Sequence, residues 1–134
     1  MDIYKGKGIT LKSGNYIITN TNITNSYFEN GFLYYTNKWA VTGFYTIQNI
    51  LFENNTSYRG TFLYYDDIKG GDVPLLSISN IKFINNKATN YGGIIYSNAR
   101  DDSLIGSIQL KYCEFINNTA VLGIITINII HNIK

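Results

Sequence analysis

The sequence is poor in the residues that build disulfides, zinc sites and catalytic triads. Its 134 residues include one cysteine, Cys113, and one histidine, His131. A single cysteine cannot close an intrachain disulfide or supply a cysteine-based metal site. A single histidine, distant from Cys113 in sequence, cannot build a His-rich metal site or activate a nucleophile in the repeats. Cys113 is therefore predicted to pack as a small apolar side chain.

Charged residues are also scarce, and their balance is nearly neutral. They make up 15% of the chain, and the formal net charge is +2. So small an excess of positive charge gives no reason to expect a nucleic acid or an anionic membrane as partner. No apolar run reaches the roughly 18 residues that a transmembrane helix needs, and Met1–Lys7 lacks the apolar core of a signal peptide. We therefore expect no nucleic-acid partner, no membrane span and no signal sequence in this chain.

The residues that are abundant favour β-structure. Hydrophobic residues make up 45% of the chain and aromatic residues 15%, with twelve glycines and only one proline. β-Branched and aromatic residues suit strands, and Asn and Gly suit the turns between them. A chain of this length and hydrophobicity can bury a core, which argues against disorder.

Four segments centred on phenylalanine divide the chain into similar intervals. The phenylalanines are separated by 24, 31 and 32 residues, which is the length of one coil of a β-solenoid with loops. The positions seven and five residues before each phenylalanine are mostly apolar, and those between them are polar. This period of two is typical of strands with one buried face. The aligned phenylalanines are Phe28, Phe52, Phe83 and Phe115.

A bend is predicted three residues before each phenylalanine, because the apolar period slips by one residue there. Asparagine tolerates left-handed backbone better than any residue except glycine, and three of the four positions hold it. The predicted bend residues are Asn25, Asn49, Asn80 and Tyr112.

Another asparagine stands two residues after each phenylalanine. If the coils stack about 4.8 Å apart, these side-chain amides would bond to one another from coil to coil. Such a ladder would satisfy polar groups at a turn, and its role would be structural. The predicted ladder consists of Asn30, Asn54, Asn85 and Asn117.

A second apolar block follows each phenylalanine. Gly31–Tyr35 closely matches Thr61–Tyr65, and Gly93–Ser97 and Gly123–Ile127 are looser copies. Segments of variable length separate each block from the next coil, as expected for loops on one side of a solenoid. These segments span residues 36–44, 66–75 and 98–107.

Together these patterns predict an all-β, right-handed parallel β-helix of about four coils. Residues 1–20 are expected to form a partial leading coil, and residues 21–134 the repeats, with coils that start near positions 21, 45, 76 and 108. No helix is predicted to cap either end, although open solenoid ends normally need a cap. The sequence therefore predicts an uncapped fragment that neighbouring coils of a larger chain complete.

The repeat resembles that of the polymorphic outer-membrane proteins, whose units carry an FxxN element and a GG[AIV][ILV] element. The first element occurs as Phe52–Asn55, Phe83–Asn86 and Phe115–Asn118, and the second as Gly92–Ile95. The first coil departs from the family, with Gly31 in place of the final asparagine. Similar repeats occur in adhesins and surface proteins and in pectin-lyase-like β-helices. The resemblance covers most of the chain and implies a β-helix in an extracellular or cell-surface protein.

Three tyrosines occupy one position of the second apolar block. If the residue before each tyrosine faces the core, the period of two places the tyrosines outside, together with the residues two positions before them. An exposed aromatic stripe can bind sugar rings or a protein surface. The opposite register would bury the tyrosines, and a second subunit could also cover them. The predicted binding residues are Tyr34, Tyr64 and Tyr96, with Phe32, Phe62 and Ile94 beside them.

Aspartates are concentrated in the variable segments, near Lys69 and Arg100. The resemblance to β-helical polysaccharide lyases implies a candidate Ca²⁺ site there, in which the cation would acidify the proton beside a uronate carboxylate. However, the aspartates do not align by repeat position, and solvated loop charges explain them equally well. No catalytic residue is assigned, and no cofactor other than Ca²⁺ is considered. The candidate ligands are Asp66, Asp67, Asp101 and Asp102.

Two functions therefore compete. The first is a structural or adhesive β-helix segment of a secreted or cell-surface protein, which binds a glycan or a protein through its flank. The second is a fragment of a β-helical polysaccharide lyase or glycoside hydrolase. Aspartates that converge on Arg100 or Lys69 would favour the enzyme, and scattered aspartates beside an exposed tyrosine stripe would favour binding. A truncated product without a function of its own is a third alternative, and the sequence favours the binding role.

Overall fold

The described part of the chain consists of strands, turns and bends. The computed structural model describes residues 5–6, 8–36, 42–66, 75–97, 107–123 and 125–126. No helix is found among these residues. It follows that none of the described residues forms a helix long and apolar enough to cross a membrane. The predicted all-β class is confirmed. The strands are β1 (Lys5–Gly6), β2 (Ile9–Thr10), β3 (Gly14–Thr24), β4 (Tyr27–Phe28), β5 (Leu33–Thr36), β6 (Gly43–Glu53), β7 (Thr56–Ser57), β8 (Leu63–Asp66), β9 (Leu75–Ile84), β10 (Lys87–Ala88), β11 (Ile95–Ser97), β12 (Ile108–Lys111), β13 (Glu114–Ile116) and β14 (Ile125–Thr126).

The strands form three parallel sheets, which the chain visits in a fixed order. Sheet A has the order β1-β4-β7-β10, sheet B the order β14-β11-β8-β5-β2, and sheet C the order β12-β9-β6-β3, with β13 also paired to β9. The chain passes from sheet A to B to C and then returns to A, and we call each such passage a circuit. Every strand pairs in parallel with the strand that lies in the same sheet one circuit away. This arrangement is compatible with the coils of a β-helix.

Sheet C carries the alternating pattern that the sequence shows. In β6 the side chains of Tyr45, Ile47, Ile50 and Phe52 are buried, and the residues between them are exposed or half-buried. The alternation slips by one residue at Asn49, as predicted. β9 repeats the pattern one circuit later, and residues at matching positions pair directly.

The register confirms three of the four aligned phenylalanines and corrects the first. Phe52 pairs with Phe83, and Phe83 pairs with Phe115. Phe28 instead lies in sheet A opposite Ser57, and Ile23 takes the position opposite Phe52. The alignment of the first unit was wrong because Phe28 was matched to the later phenylalanines, and this match gave the short first interval of 24 residues. The true spacing from Ile23 to Phe52 is 29 residues.

The same shift applies to the start of the first aligned unit. Tyr16, and not Thr21, pairs with Tyr45, and Thr21 pairs with Ile50. Further along the chain Tyr45 pairs with Leu76, and Leu76 pairs with Ile108.

Phenylalanine rings stack through the centre of the core. The ring centroids of Phe52 and Phe83 are 5.9 Å apart, and those of Phe83 and Phe115 are 5.0 Å apart. Phe62 packs edge-on against both Phe52 and Phe83, at 5.2 and 5.0 Å. Burial of each such ring contributes roughly 2–3 kcal/mol, so the aromatic column is a main source of stability.

Phe62 and Ile94 were expected outside the core, and the structure places them inside it. Both side chains are fully buried, and Phe32 packs against the same cluster. The expectation was wrong because Phe62 and Ile94 precede their strands, β8 and β11, and belong to turns. Residues in a turn need not follow the alternation of the strand that comes next.

Two bends per circuit are built from residues with left-handed backbone. Left-handed φ values of 52–56° are found at all four predicted bend residues, so this prediction is confirmed. The register assigns Asn20 to the bend that Asn49 forms, and it assigns Asn25 to a second bend five residues later. The first bend consists of Asn20, Asn49, Asn80 and Tyr112, and the second of Asn25, Asn54, Asn85 and Asn117.

Candidate functional site

A buried ladder of asparagine amides runs through the second bend. The Oδ1 atom of Asn86 accepts a hydrogen bond from the backbone N–H of Asn55 at 3.0 Å. Its Nδ2 atom donates to the carbonyl oxygen of Phe52 at 2.8 Å and to Oδ1 of Asn118 at 2.9 Å. Asn118 repeats these bonds one circuit later, accepting from the N–H of Asn86 and donating to the carbonyl of Phe83. All three asparagines are buried, so the ladder satisfies backbone groups that water cannot reach.

The predicted ladder residues lie one position earlier and have another role. Asn54, Asn85 and Asn117 are exposed, and their φ values of 51–55° turn the chain. Among the described residues no side-chain hydrogen bond links them. Asn30 does not belong to this column, since the register places its neighbour Phe28 in sheet A. The ladder prediction was wrong by one residue because two adjacent asparagines follow Phe52, Phe83 and Phe115 in a similar way.

The three predicted binding tyrosines form a stack on the outer face of sheet B. Tyr34 pairs with Tyr64, and Tyr64 with Tyr96, in the backbone register. The ring centroids are 5.5 and 5.3 Å apart, and the ring planes are inclined by about 20°. The residues on either side of Tyr64, Leu63 and Tyr65, are fully buried in the core, so the stacked rings face away from it.

Stacking leaves little of the middle ring open. Tyr64 is only 7% exposed, because the rings of Tyr34 and Tyr96 cover its two faces. Tyr34 and Tyr96 are half-buried. The stack therefore presents mainly the edges of its rings.

Arg59 lies beside this stack, close to Tyr96 and to two tyrosines that the sequence did not single out, Tyr58 and Tyr91. Its guanidinium carbon is 5.1 Å from the ring centroid of Tyr58, 5.5 Å from that of Tyr91 and 5.2 Å from that of Tyr96. These distances are within the range of cation–π attraction. Tyr64 also contributes to the electrostatic surroundings of Arg59. We call the six residues Tyr34, Tyr58, Arg59, Tyr64, Tyr91 and Tyr96 the tyrosine flank.

Arg59 carries a full positive charge, as arginine does in proteins generally. Burial on its own lowers the pKa of the guanidinium, but the electrostatic influence of Tyr96, Tyr64 and Tyr58 raises it, and the resulting pKa is above the ordinary value. Within the described residues Arg59 forms no ion pair, and the Nε atom is buried without a hydrogen-bond acceptor. The flank therefore carries a positive charge that aromatic rings, rather than a carboxylate, hold in place.

The A–B turn, which lengthens along the chain, carries Arg59 and Tyr91. Five residues separate Phe28 of sheet A from Leu33 of sheet B, six separate Ser57 from Leu63, and seven separate Ala88 from Ile95. The residue added in the second turn follows Gly60, and the one added in the third precedes Gly92, where Tyr91 stands. We call the segment from Tyr58 to Phe62 the second A–B turn.

Gly60 fixes the course of the second A–B turn. Its φ is +51°, and a Cβ atom there would collide with the carbonyl oxygen of Leu63 and lie 2.9 Å from the backbone nitrogen of Tyr96. Only glycine lets the turn lie directly against the next circuit. This close approach sets Arg59 beside Tyr96.

Of the flank residues that sequence reasoning missed, only Tyr91 had a weak signal. Tyr91 disrupts the otherwise regular spacing between matching blocks, and an alignment of the turns alone would have shown it as an insertion. This insertion could be recognised only after the register was known. Arg59 and Tyr58 carried no separate signal.

The predicted aspartate site falls almost entirely outside the described residues. Asp66 is the last residue of β8, where its backbone pairs with Thr36. Asp67, Asp101 and Asp102 lie outside the described residues, as do Lys69 and Arg100. In the part of the chain that the structure describes, no cluster of three or more acidic, histidine or cysteine side chains could hold a metal ion. The Ca²⁺ site stays a prediction.

Cys113 packs against the core without a reactive neighbour among the described residues. Its side chain is half-buried, and Sγ lies 3.5 Å from the carbonyl oxygen of Lys111. Burial raises the pKa of the Cys113 thiol, although backbone hydrogen bonding at Ile81 and Lys111 lowers it in part. A raised pKa leaves less thiolate at neutral pH, which fits a packing role.

Comparisons of the chain with protein-family models, with curated proteins and with solved structures gave no match. The resemblance to the polymorphic outer-membrane-protein repeats therefore stays a prediction.

Proposed function

We propose that this chain is a segment of a right-handed parallel β-helix in a secreted or cell-surface protein, and that it binds a protein partner through the tyrosine flank. The cyclic order of sheets A, B and C and the parallel pairing of successive circuits support the β-helix. Neighbouring circuits give such a segment a rigid side surface, which is how solenoids present binding residues.

One observation carries the binding proposal: a guanidinium group at 5.1–5.5 Å from three tyrosine rings, on the outer side of a sheet. Tyrosine and arginine are enriched among the residues that dominate the energy of protein interfaces. Tyrosine offers a large contact area at a small entropic cost. A surface that combines both residue types on paired strands is already ordered, so binding a partner costs little additional conformational entropy.

The geometry favours a protein partner over a sugar. A sugar ring stacks on the open face of an aromatic ring, and both faces of Tyr64 are covered by Tyr34 and Tyr96. The flank instead offers ring edges, hydroxyl groups and one guanidinium, which suit the mixed polar and apolar surface of a protein. A glycan is the alternative occupant.

The enzyme alternative has no support among the described contacts. It requires aspartates that converge on a base, and all but Asp66 of the candidate aspartates lie outside the described residues. The proposal of binding does not depend on them.

Selection of displayed peptides tests the proposed function. A phage library of random 12-residue peptides would be selected on the immobilised chain, and enriched peptides would be measured against Tyr58→Ala and Tyr91→Ala. Tyr58 is 49% exposed, so its replacement should leave the fold intact. The matched control is Phe44→Ala, an aromatic residue 59% exposed on the outer face of sheet C.

We expect the enriched peptides to lose about tenfold in affinity for each flank variant and to bind the Phe44→Ala control normally, as truncation of a central interface aromatic implies. Peptides that bind all three variants equally would contradict a role for the flank. Selective binding of neutral glycans on a glycan array, abolished by the same flank variants, would replace the protein partner with a sugar.

A further inference from the structure

We infer that Arg59 is a carboxylate-binding site and that the partner of the tyrosine flank is an acidic polypeptide segment. This inference rests on the proposed function and specifies its partner. It follows from the charge of Arg59, from the groups that surround it and from the groups that are absent around it.

The first argument is charge complementarity. Arg59 forms no ion pair within the described residues, where Lys82 and Glu114 are paired at 3.5 Å on another sheet. Its contacts are three tyrosine rings and the side chain of Tyr64. None of these neutralises a cation. A carboxylate matches the planar guanidinium and can accept two hydrogen bonds from it.

The second argument is the surroundings of the guanidinium. Three tyrosine ring centroids lie within 5.5 Å of the guanidinium carbon, while the side chain stays partly exposed and open to a ligand. The rings also hold the side chain in one orientation before the partner arrives. Arginine loses little further entropy on binding when it is fixed in this way.

The third argument concerns the source of the carboxylate. The hydroxyl groups at the flank can bond to peptide groups on either side of an acidic side chain. A uronic acid polymer would need open ring faces for its sugars, and the stack covers the faces of Tyr64. The flank therefore fits an acidic peptide better than an acidic polysaccharide.

Peptide binding to charge-matched variants tests the inference. The probe is a fluorescein-labelled 12-residue peptide with alternating Glu and Ser, and its affinity for the full chain is measured by fluorescence anisotropy. The variants are Arg59→Gln and Lys111→Gln. Each removes one positive charge, and Lys111 lies in β12 of sheet C, away from the flank. A Gln–Ser peptide of equal length and polygalacturonate complete the set of ligands.

We expect the Glu–Ser peptide to bind the chain and to lose about tenfold in affinity with Arg59→Gln, and less than about twofold with Lys111→Gln. The Gln–Ser peptide and polygalacturonate should bind at least about tenfold more weakly than the Glu–Ser peptide. Equal losses for the two variants would show unspecific charge attraction and overturn the inference. Tighter binding of polygalacturonate, or no binding of the Glu–Ser peptide, would also overturn it.

A second measurement covers the case in which Arg59→Gln does not fold. Addition of the Glu–Ser peptide to the unaltered chain should shift the NMR signals of the Tyr58, Tyr91 and Tyr96 rings and leave those of Phe44 unchanged. Shifts spread over the whole surface would contradict the site. If selected neutral peptides bind the flank and are indifferent to Arg59→Gln, the carboxylate site fails and the proposed function stands. If no peptide binds the flank, both fail.

Discussion

Adjacent asparagines in this chain have opposite physical roles. Asn85 is exposed and turns the backbone with a φ of 53°, whereas Asn86 is buried and bonds to two backbone groups of the preceding circuit. Asparagine suits both roles, because it tolerates left-handed backbone and because its amide both donates and accepts. The second bend of a circuit therefore depends on a pair of identical residues that are not interchangeable.

Replacement of Asn86 by alanine should destabilise the chain strongly. It leaves the buried N–H of Asn55 and the carbonyl of Phe52 without their partners, and each loss costs about 1–3 kcal/mol. We expect urea denaturation to show a loss of about 2–4 kcal/mol in the free energy of unfolding. Asn85→Gly is the control, since glycine keeps the left-handed bend, and it should change stability by less than about 1 kcal/mol. Equal losses for both variants would contradict the assignment of the ladder.

A second ladder, on the surface, ends at a residue that does not fit it. The Nδ2 atom of Asn49 donates to Oδ1 of Asn20 at 3.1 Å, and that of Asn80 donates to Oδ1 of Asn49 at 3.3 Å. Tyr112 occupies the next position with a φ of 54° and is 80% exposed. Tyrosine is unfavourable in left-handed backbone and contributes no amide.

Tyr112→Asn should therefore stabilise the chain, by about 0.5–1 kcal/mol, because asparagine accepts the backbone angle and can donate to Asn80. The midpoint of thermal unfolding should rise. Tyr112→Ala removes the ring without gaining the amide, and it serves as the control that should not reproduce the increase. A fall in the midpoint with Tyr112→Asn would contradict the left-handed bend at this position.

Because of Tyr65, the free energy of unfolding should depend on pH in the alkaline range. Its side chain is fully buried, and its hydroxyl group has no hydrogen-bond partner among the described residues. Burial raises the pKa of Tyr65 above the ordinary value of 10.0, with smaller contributions from Tyr35 and Tyr45. Since the folded chain holds the proton more tightly than the unfolded chain, the stabilisation by the neutral hydroxyl is complete below pH 10.0 and is lost as the pH rises above that value.

Tyr65→Phe should remove this dependence and, at neutral pH, increase stability by about 1 kcal/mol, because it deletes an unsatisfied buried hydroxyl group. Unfolding free energies measured between about pH 7 and pH 11 should fall less for the variant than for the unaltered chain above about pH 10. Parallel pH profiles of the two proteins would show that Tyr65 does not titrate on unfolding.

The sequence predicted residue types better than residue positions at this scale. It placed left-handed backbone correctly at Asn49, Asn80 and Tyr112, since a slip in the apolar period requires a bend there. It assigned the amide ladder to Asn85 instead of Asn86, because the count of residues does not show which of two neighbours points inward. That distinction depends on the angle of the bend, which is a property of the folded backbone.

At the scale of the element, the second A–B turn connects the fold to the candidate site. Its glycine lies against the backbone of Tyr96, and its arginine lies over the tyrosine rings. Gly31 lies against the backbone of Tyr64 in a similar way one circuit earlier, but among the described circuits only the second A–B turn adds an arginine. The A–B turns therefore supply the flank residues that lie outside the strands of sheet B.

Gly60→Ala should disturb this element specifically. The new Cβ would collide with the carbonyl oxygen of Leu63, so the turn would have to move away from Tyr96. We expect a loss of at least about 2 kcal/mol in the free energy of unfolding and weaker binding at the flank. The control is Glu29→Ala, an exposed residue in the corresponding turn of the preceding circuit. Unchanged stability of Gly60→Ala would contradict the close approach of the turn to Tyr96.

A simple alternation predicts Tyr34, Tyr64 and Tyr96 on the face of sheet B that is opposite to Leu63 and Tyr65, but the exposure that it also predicts is absent at Tyr64, which is 7% exposed. The inward position of Phe62 did not follow, because this residue belongs to a turn and alternation applies only within a strand. Arg59 could not be assigned to the flank from sequence, since its place depends on how closely the turn approaches Tyr96 in the next circuit. The sequence therefore predicted the pattern of residues within a strand, but it did not predict the contacts between a turn and a neighbouring strand.

At the scale of the whole molecule, the fold depends on residues at equivalent positions lying over one another. The core is a series of such columns, among them Ile47 with Ile78 and Phe52 with Phe83 and Phe115. Repetition of apolar types made these columns visible in the sequence. The first circuit was aligned wrongly because Phe28 is the same residue type as the repeated phenylalanines, although it lies in sheet A. The residue that pairs with Phe52 is Ile23, which is hydrophobic but not aromatic.

Disulfide formation between paired cysteines measures this register directly. Thr46 lies opposite Ser77 on neighbouring strands, and Ser79 lies opposite Gln48. Paired Cα atoms about 4.8 Å apart are within disulfide range, whereas a shift of two residues separates them by more than about 7 Å. In a Cys113→Ala background, Thr46→Cys with Ser77→Cys should oxidise readily in a glutathione buffer, and Thr46→Cys with Ser79→Cys should stay reduced, as measured by thiol labelling and mass spectrometry. Equal oxidation of the two pairs, or preferential oxidation of the second, would contradict the parallel stacking of circuits.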